Sequence, residues 1–156
     1  MISVSIPGWG DLDIEYLVVD YNGTCAFDGK LKENVKELLE KVSRYIKVFI
    51  ITSDTYGNID NEGTTLGFSI IKVGKEGSAQ EKAKIIKELG PEKIVAIGNG
   101  ANDVLMLKEA ALGIGVIGEE GCAKDILREA DFIVKNILDA LGVLLHPERI
   151  VATLRD

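Results

Sequence analysis

The chain is poor in the residues on which several kinds of chemistry depend. Of its 156 residues, two are Cys, one is His, three are Pro and one is Trp. Cys25 and Cys122 are too few for a disulfide framework, and such a pair in the cytosol is ordinarily reduced. The lone His146 precedes Pro147, which argues against a His-rich zinc site or a His base and for a capping role at a helix end. No apolar run reaches the roughly 20 residues needed to cross a bilayer. The opening MISVSIPGWG lacks the basic start and apolar stretch of a signal peptide. No membrane association is expected, and the expected compartment is the cytoplasm. Lys and Arg number 18 against 25 Asp and Glu, a formal charge of −7. With no Lys/Arg cluster, nucleic acid is not an expected partner.

What remains is an ordinary globular balance, 46% hydrophobic and 28% charged, in a length that suits one domain spanning residues 1–156. Ile2, Val4 and Ile6, then Leu12 and Ile14, alternate around Pro7-Gly8-Trp9-Gly10, which predicts a β-hairpin at a sheet edge. Trp9 is read as packing in that turn, with an exposed contact as the alternative. From residue 16 onward, short apolar runs alternate with helical periodicity. Strands are expected over 16–20, 47–52, 68–73, 93–98, 113–117 and 131–134. Helices are expected over 31–43, 79–89, 102–111, 121–129 and, last, 136–145. The polar segment 54–67 reads as a loop with a helical turn. Nearly continuous apolar strands alternating with helices predict an α/β fold: a mostly parallel central sheet covered on both faces, with an N-terminal hairpin. Ligands of such sheets collect beyond the carboxyl ends of the strands.

Polar residues stand where those strands end. Asp20 follows the first core strand and opens Tyr21-Asn22-Gly23-Thr24. Its carboxylate is suited to bind a hard metal or to attack phosphorus, and equally to start a turn. Asn22 cannot act as a general acid near neutral pH, although its backbone carbonyl can meet magnesium. Gly23 permits a turn whose N–H groups face phosphate oxygens, with the Thr24 hydroxyl closing it. Thr52 and Ser53 end the second strand as rival phosphate-binding hydroxyls, and Asp54 is read as a cap. Lys82 opens the next helix with an ammonium for phosphoryl charge, in competition with Lys84 and Lys87. Asn99, Asn102 and Asp103 follow the strand at 93–98: Asn99 and Asp103 are candidates for metal binding, and Asn102 or Asp103 for capping. Cys25 is read as packed, having no His to activate it. Cys122 is read as packed at the start of a helix, with a somewhat lowered pKa as the alternative.

Together DYNGT at 20–24, IITSD at 50–54, EKAKIIKELG at 81–90 and GNGANDVLMLKEA at 98–110 resemble the haloacid dehalogenase-like hydrolase superfamily. The likeness is closest to the phosphorylation domain of P-type ATPases and to soluble archaeal P-type ATPase-like proteins. It implies a three-layer Rossmann-like α/β/α domain. The intervals between motifs are too short for a large cap. It further implies a magnesium-dependent phosphohydrolase in which Asp20 becomes an aspartyl phosphate, Thr52 and Lys82 bind the phosphoryl group, and Gly23, Thr24, Ser53 and Asn102 line the substrate. Asp20, Asn22, Asn99 and Asp103 fall at the magnesium site. Two positions depart from the family pattern. Asn22 stands where its phosphatases hold an acid/base Asp, and Asn99 where a carboxylate ligand is usual. The expected substrate is a phosphorylated small molecule or phosphoprotein, turned over slowly, and a homo-oligomer is one way to close the open site. The alternative is a catalytically weakened binding or regulatory protein on the same fold.

Overall fold

The computed structural model describes residues 1–53 and 68–156. The expected loop at 54–67, with Asp54 as a cap, lies outside the described residues. Six strands form the central sheet: β3 (Tyr16–Asp20), β6 (Lys47–Thr52), β7 (Ser69–Lys72), β8 (Ile94–Gly98), β9 (Leu112–Val116) and β10 (Phe132–Val134). Their order is β10-β9-β8-β3-β6-β7, and every pairing is parallel. The chain runs outward from β3 on one side, then crosses back to β8 on the other. The strand order therefore reverses at β3, where an open α/β sheet leaves a crevice.

Alternation along the central strands explains the layers. Leu17, Val19, Val48, Ile50, Val95 and Ile97 face one apolar cluster. It is shared with α1 (Glu33–Ser43) and α5 (Ile137–Leu145). Val18, Phe49, Ile51, Ile94 and Ala96 face the other, shared with α2 (Ser78–Leu89), α3 (Val104–Glu109) and α4 (Lys124–Glu129). Among the described residues the architecture carries no large cap, and no helix is long and apolar enough to cross a membrane.

The structure departs from the sequence expectations at several boundaries. Strands β1 (Ile2–Ile6) and β2 (Gly10–Ile14) form a separate two-stranded antiparallel sheet rather than an edge of the central one. Their inward Ile2, Ile6, Leu12 and Ile14 join the first apolar cluster. Trp9 remains 39% exposed in the connecting turn. Leu31, expected in the first helix, lies in a short ribbon of β4 (Ala26–Phe27) and β5 (Lys30–Leu31). Asp28, at φ 52°, and Gly29 turn that ribbon. The helix expected at 121–129 begins at Lys124, so Cys122 precedes it. A further helix, α6 (Glu148–Leu154), follows α5 and buries Ile150 against the hairpin's cluster.

Close approach of α3 to β9 is set by glycine. A Cβ on Gly113 would lie 2.5 Å from the Leu107 carbonyl oxygen. Overpacking of this kind costs about 1–3 kcal/mol. Gly113→Ala is therefore expected to lower stability by that amount in urea unfolding, and an unchanged midpoint would refute so tight a seam.

Candidate functional site

Parallel register brings the polar strand ends to one level. Val19 lies opposite Ile50 on one side and Ile97 on the other, so Asp20, Thr52 and Asn99 emerge together. Asp20 continues the face of Val18, two residues earlier, toward α2. On α2, Lys82 lies one turn before Ile86, which packs in the same cluster as Val18. Two residues along a strand and one helical turn cover similar distances, so Lys82 arrives opposite Asp20.

The Lys82 ammonium is buried, 1% exposed, and donates to Asp20 Oδ1 and Asp103 Oδ1, each at 2.7 Å. Asp103 Oδ2 accepts the backbone N–H groups of Asn99 and Gly100 at 3.1 and 3.0 Å. The Thr24 hydroxyl lies 3.2 Å from Asp20 Oδ2 and 2.9 Å from Asn99 Oδ1, so its one proton serves either acceptor. Asn99 Nδ2 donates to the Gly121 carbonyl at 3.0 Å. Gly23 sits against this amide at φ +77°, and a Cβ there would lie 2.8 Å from Asn99 Nδ2. Both the backbone conformation and the close approach require glycine.

Charge in this small volume is unbalanced, with two carboxylates facing one ammonium. Burial and the neighbouring Asp103 carboxylate push the Asp20 carboxyl up from 3.8 to about 7, against the opposing pull of Lys82 and Thr24. Burial disfavours the Lys82 ammonium, but Asp20 and Asp103 outweigh it and raise its pKa. The buried Cys25 thiol donates to the Asp20 carbonyl at 3.3 Å. Burial and the Asp20 charge hold its pKa well above the ordinary value, so it packs rather than reacts. Cys122, with a lowered pKa as the alternative reading, is shifted upward by burial and by Asp103.

The structure separates the rivals among the candidates. Lys84 pairs with Glu88 and Lys87 with Glu109 on exposed surface, leaving Lys82 as the lysine that reaches Asp20. Thr52 is fully buried at the end of β6, and Ser53 is half-buried just beyond it. Asn102 and Asp103 lie in a 3-10 turn, Ala101–Asp103, rather than in the expected helix. Asn102 Nδ2 donates to Ser78 Oγ at 3.2 Å, bracing that turn against α2. Asp103 is 0% exposed, with Oδ1 on the Lys82 ammonium and Oδ2 on two backbone N–H groups. The N–H groups of Gly23 and Thr24 donate to the carbonyls of Ala26 and Tyr21, so they face inward instead of toward a phosphate. Asn22 is half-buried beside them. His146 follows α5, its Nδ1 3.5 Å from Glu148. Gly121 and Ser78 were missed as partners. Only the paired glycines of Gly118-Glu119-Glu120-Gly121 signalled an unusual loop, and both have positive φ.

The family profile for haloacid dehalogenase-like hydrolases matches residues 3–111. An uncharacterized protein of Methanocaldococcus jannaschii is 48% identical over 93 residues, covering 55% of this chain and 100% of that protein. The soluble P-type ATPase-like phosphatase of the same organism is 26% identical over 140 residues. That match covers 87% of this chain and 51% of the relative, so the chain spans about half its length. Among solved structures, 3-deoxy-D-manno-octulosonate 8-phosphate phosphatase from Moraxella catarrhalis, in complex with magnesium, phosphate and KDO, superposes with a TM-score of 0.72. Its identity is 20%, with 91% of this chain and 94% of that one covered, a likeness of fold.

An acid whose folded pKa exceeds its unfolded one holds extra protons when folded, so stability falls as pH rises between the two values. In chelator, Asp20→Asn mimics the protonated carboxyl. Its stability relative to the parent chain is expected to climb from about pH 4 to about pH 7 and then level off. A flat difference in urea midpoints across that window would contradict the raised pKa. Separately, Asn99→Asp loses the donor to Gly121 and sets an oxygen against that carbonyl. Stability in chelator at pH 8 is expected to drop by about 1–3 kcal/mol, and no drop would show that the amide is not a brace.

Proposed function

Because the chain belongs to the haloacid dehalogenase-like hydrolase family, we propose that it is a phosphohydrolase working through Asp20. The observation that carries this reading is the buried Lys82 ammonium shared by Asp20 and Asp103 at the carboxyl ends of the strands. The phosphatase names of the relatives support it as well. One oxygen of the Asp20 carboxylate, which Lys82 holds at Oδ1 and the Thr24 hydroxyl meets at Oδ2, attacks phosphorus, and the other is left for a metal ion. The new O–P bond forms as the ester P–O bond breaks, and the leaving oxygen departs with the electron pair. Water then attacks phosphorus, and phosphate and the free carboxylate return. Lys82 and Thr52 offset charge on the phosphoryl oxygens.

The donor set suits a hard divalent ion, since an anionic oxygen of Asp20 and a neutral one of Asn99 flank the same Thr24 hydroxyl. Among the described residues no group of three or more His, Cys, Asp or Glu could hold a metal, so the site offers no all-protein cage. Magnesium commonly keeps several waters and takes substrate phosphate as a ligand. Asp20, Asn99 and the Asn22 carbonyl would hold it, with Asp103 contributing through Lys82 and the loop. When bound, the ion supplies charge neutralisation at the phosphoryl oxygens.

Asn22 cannot protonate a leaving oxygen or deprotonate water. Aryl phosphates, whose leaving groups need no proton, should therefore outperform alkyl phosphates. An open site suits a phosphorylated small molecule or a phosphoprotein, and a second copy of the chain could close it. Asn22 and Asn99 together favour a second reading, a phosphate-ligand-binding or regulatory protein without turnover.

Acid quenching after mixing with magnesium and an aryl phosphate separates the two. Phosphate trapped on Asp20, absent in Asp20→Asn, is expected, and Asn22→Asp should speed dephosphorylation by about 100-fold, the usual worth of a general base. A chain that binds phosphate ligands yet never phosphorylates Asp20 would establish the second reading and end the first.

A further inference from the structure

A groove of about 510 Å³ lies between the short ribbon, the starts of α1 and α5, and the loops after β9 and β10, a volume typical of small-molecule sites. Its apolar lining comes from Phe27 of the short ribbon, Val35 of α1, and Ile137 and Leu138 of α5. Its charged lining is Lys32, Lys135 and Glu119, a local excess of one positive charge on a chain of net charge −7. Helix α1 starts here with no side-chain cap and with Glu33 in its first turn, so the positive potential of its N–H groups is partly offset.

The groove and the reaction centre share a wall. Gly118 meets the DYNGT turn so closely that a Cβ there would lie 3.4 Å from the Gly23 carbonyl oxygen and 3.8 Å from the Phe27 ring. Gly23 in turn abuts Asn99. The loop that carries Gly118 and Glu119 continues to Gly121, whose carbonyl takes the Asn99 amide. Lys32 Nζ bonds Glu119 Oε1 at 2.6 Å and lies 4.7 Å from the centre of the Phe27 ring. This clasp is exposed, with side chains 45% and 67% accessible, and a pair so exposed is worth little. A carboxylate already sits on Lys32, so the position accommodates a carboxylate from elsewhere at small cost.

We propose that this groove seats the leaving group of the substrate, and that the substrate is an organic phosphate whose leaving part carries an apolar ring or chain and a carboxylate. The apolar body lies against Phe27 and Leu138, which are half-buried in the lining. The carboxylate displaces Glu119 from Lys32, with Lys135 as the second cation. The assignment rests on the phosphohydrolase reading for its reacting end, while the groove can be tested without turnover.

The probes are phenyl phosphate, 4-carboxyphenyl phosphate and the non-hydrolysable 4-carboxybenzylphosphonate, each with magnesium and the full chain. The ratio of kcat/KM for the carboxylated ester to that for phenyl phosphate is expected to fall about threefold in Lys32→Met, the worth of one exposed ion pair. In Glu119→Gln, which lacks the competing carboxylate, the ratio should rise. The phosphonate should shift the amide resonances of Phe27, Gly118 and Ile137. An unchanged ratio in Lys32→Met, or no shifts in the groove, overturns the assignment even while both esters are hydrolysed. If neither ester releases phosphate, the phosphohydrolase reading fails instead. Groove shifts that weaken in Lys32→Met then still support the carboxylate site, and shifts that do not weaken overturn it.

Discussion

Lys82 places an ammonium in the interior of the protein, where desolvation alone costs several kcal/mol. Two carboxylates at 2.7 Å offset that cost, and each is held by a different part of the chain. Asp20 is fixed by the end of β3. Asp103 is fixed by the N–H groups of Asn99 and Gly100. It lies so close over the end of β8 that a Cβ on Gly98 would come within 2.5 Å of it. Removing either acid would leave part of a buried ion network unpaired, a loss of the order of 3–5 kcal/mol for such pairs. The cluster ties β3, α2 and the loop after β8 into one unit. Burial first, and then the second carboxylate of the cluster, raise the pKa of Asp20.

The apolar sheet makes that cluster possible. Val18 and Ile86 pack in one layer, and the polar pair Asp20–Lys82 extends the same strand–helix contact by one step at each element. This is why the convergence of Asp20, Thr52, Lys82 and the late Asn/Asp loop was legible in the sequence. Strand ends, helical period and parallel topology are all local signals, and together they set the level at which the polar residues emerge. The bounds 16–20 and 47–52 agree with the observed strands for the same reason.

What the sequence left open depends on contacts distant along the chain. Asn102 was equally suited to a ligand or a cap, and its amide meets Ser78 on another helix. Asp103 was a metal candidate by residue type, directly or through a water, and its oxygens meet Lys82 and two backbone N–H groups. Gly23 promised outward N–H donors, and the ribbon that follows it, too short to show any period, turns them inward. Cys122 was read as lying at a helix start. Burial and Asp103 now govern it, and both push its thiol upward. In each case the local pattern was compatible with several outcomes, and packing chose one.

The two amides then bear on the proposed chemistry in different ways. Asn22 touches the proton inventory: without a titratable group there, cleavage depends on the leaving group's own stability as an anion, and release of the phosphoryl group from Asp20 depends on unassisted water. Asn99 touches charge and architecture at once. An aspartate in its place would add a third carboxylate to a cluster already one charge short of balance. It would also lose the donor that ties the reaction centre to Gly121. The asparagine therefore gives up some attraction for a cation and in return fixes the loop that forms the groove wall. On the proposed chemistry, weak ion affinity and slow release would leave discrimination between substrates to contacts away from phosphorus, since binding energy from the non-reacting part is what remains to be used. On that reading the demand for recognition would fall on the groove lined by Phe27 and Gly118, where the chain presents a ring, an apolar floor, and the ammonium groups of Lys32 and Lys135 with the Glu119 carboxylate.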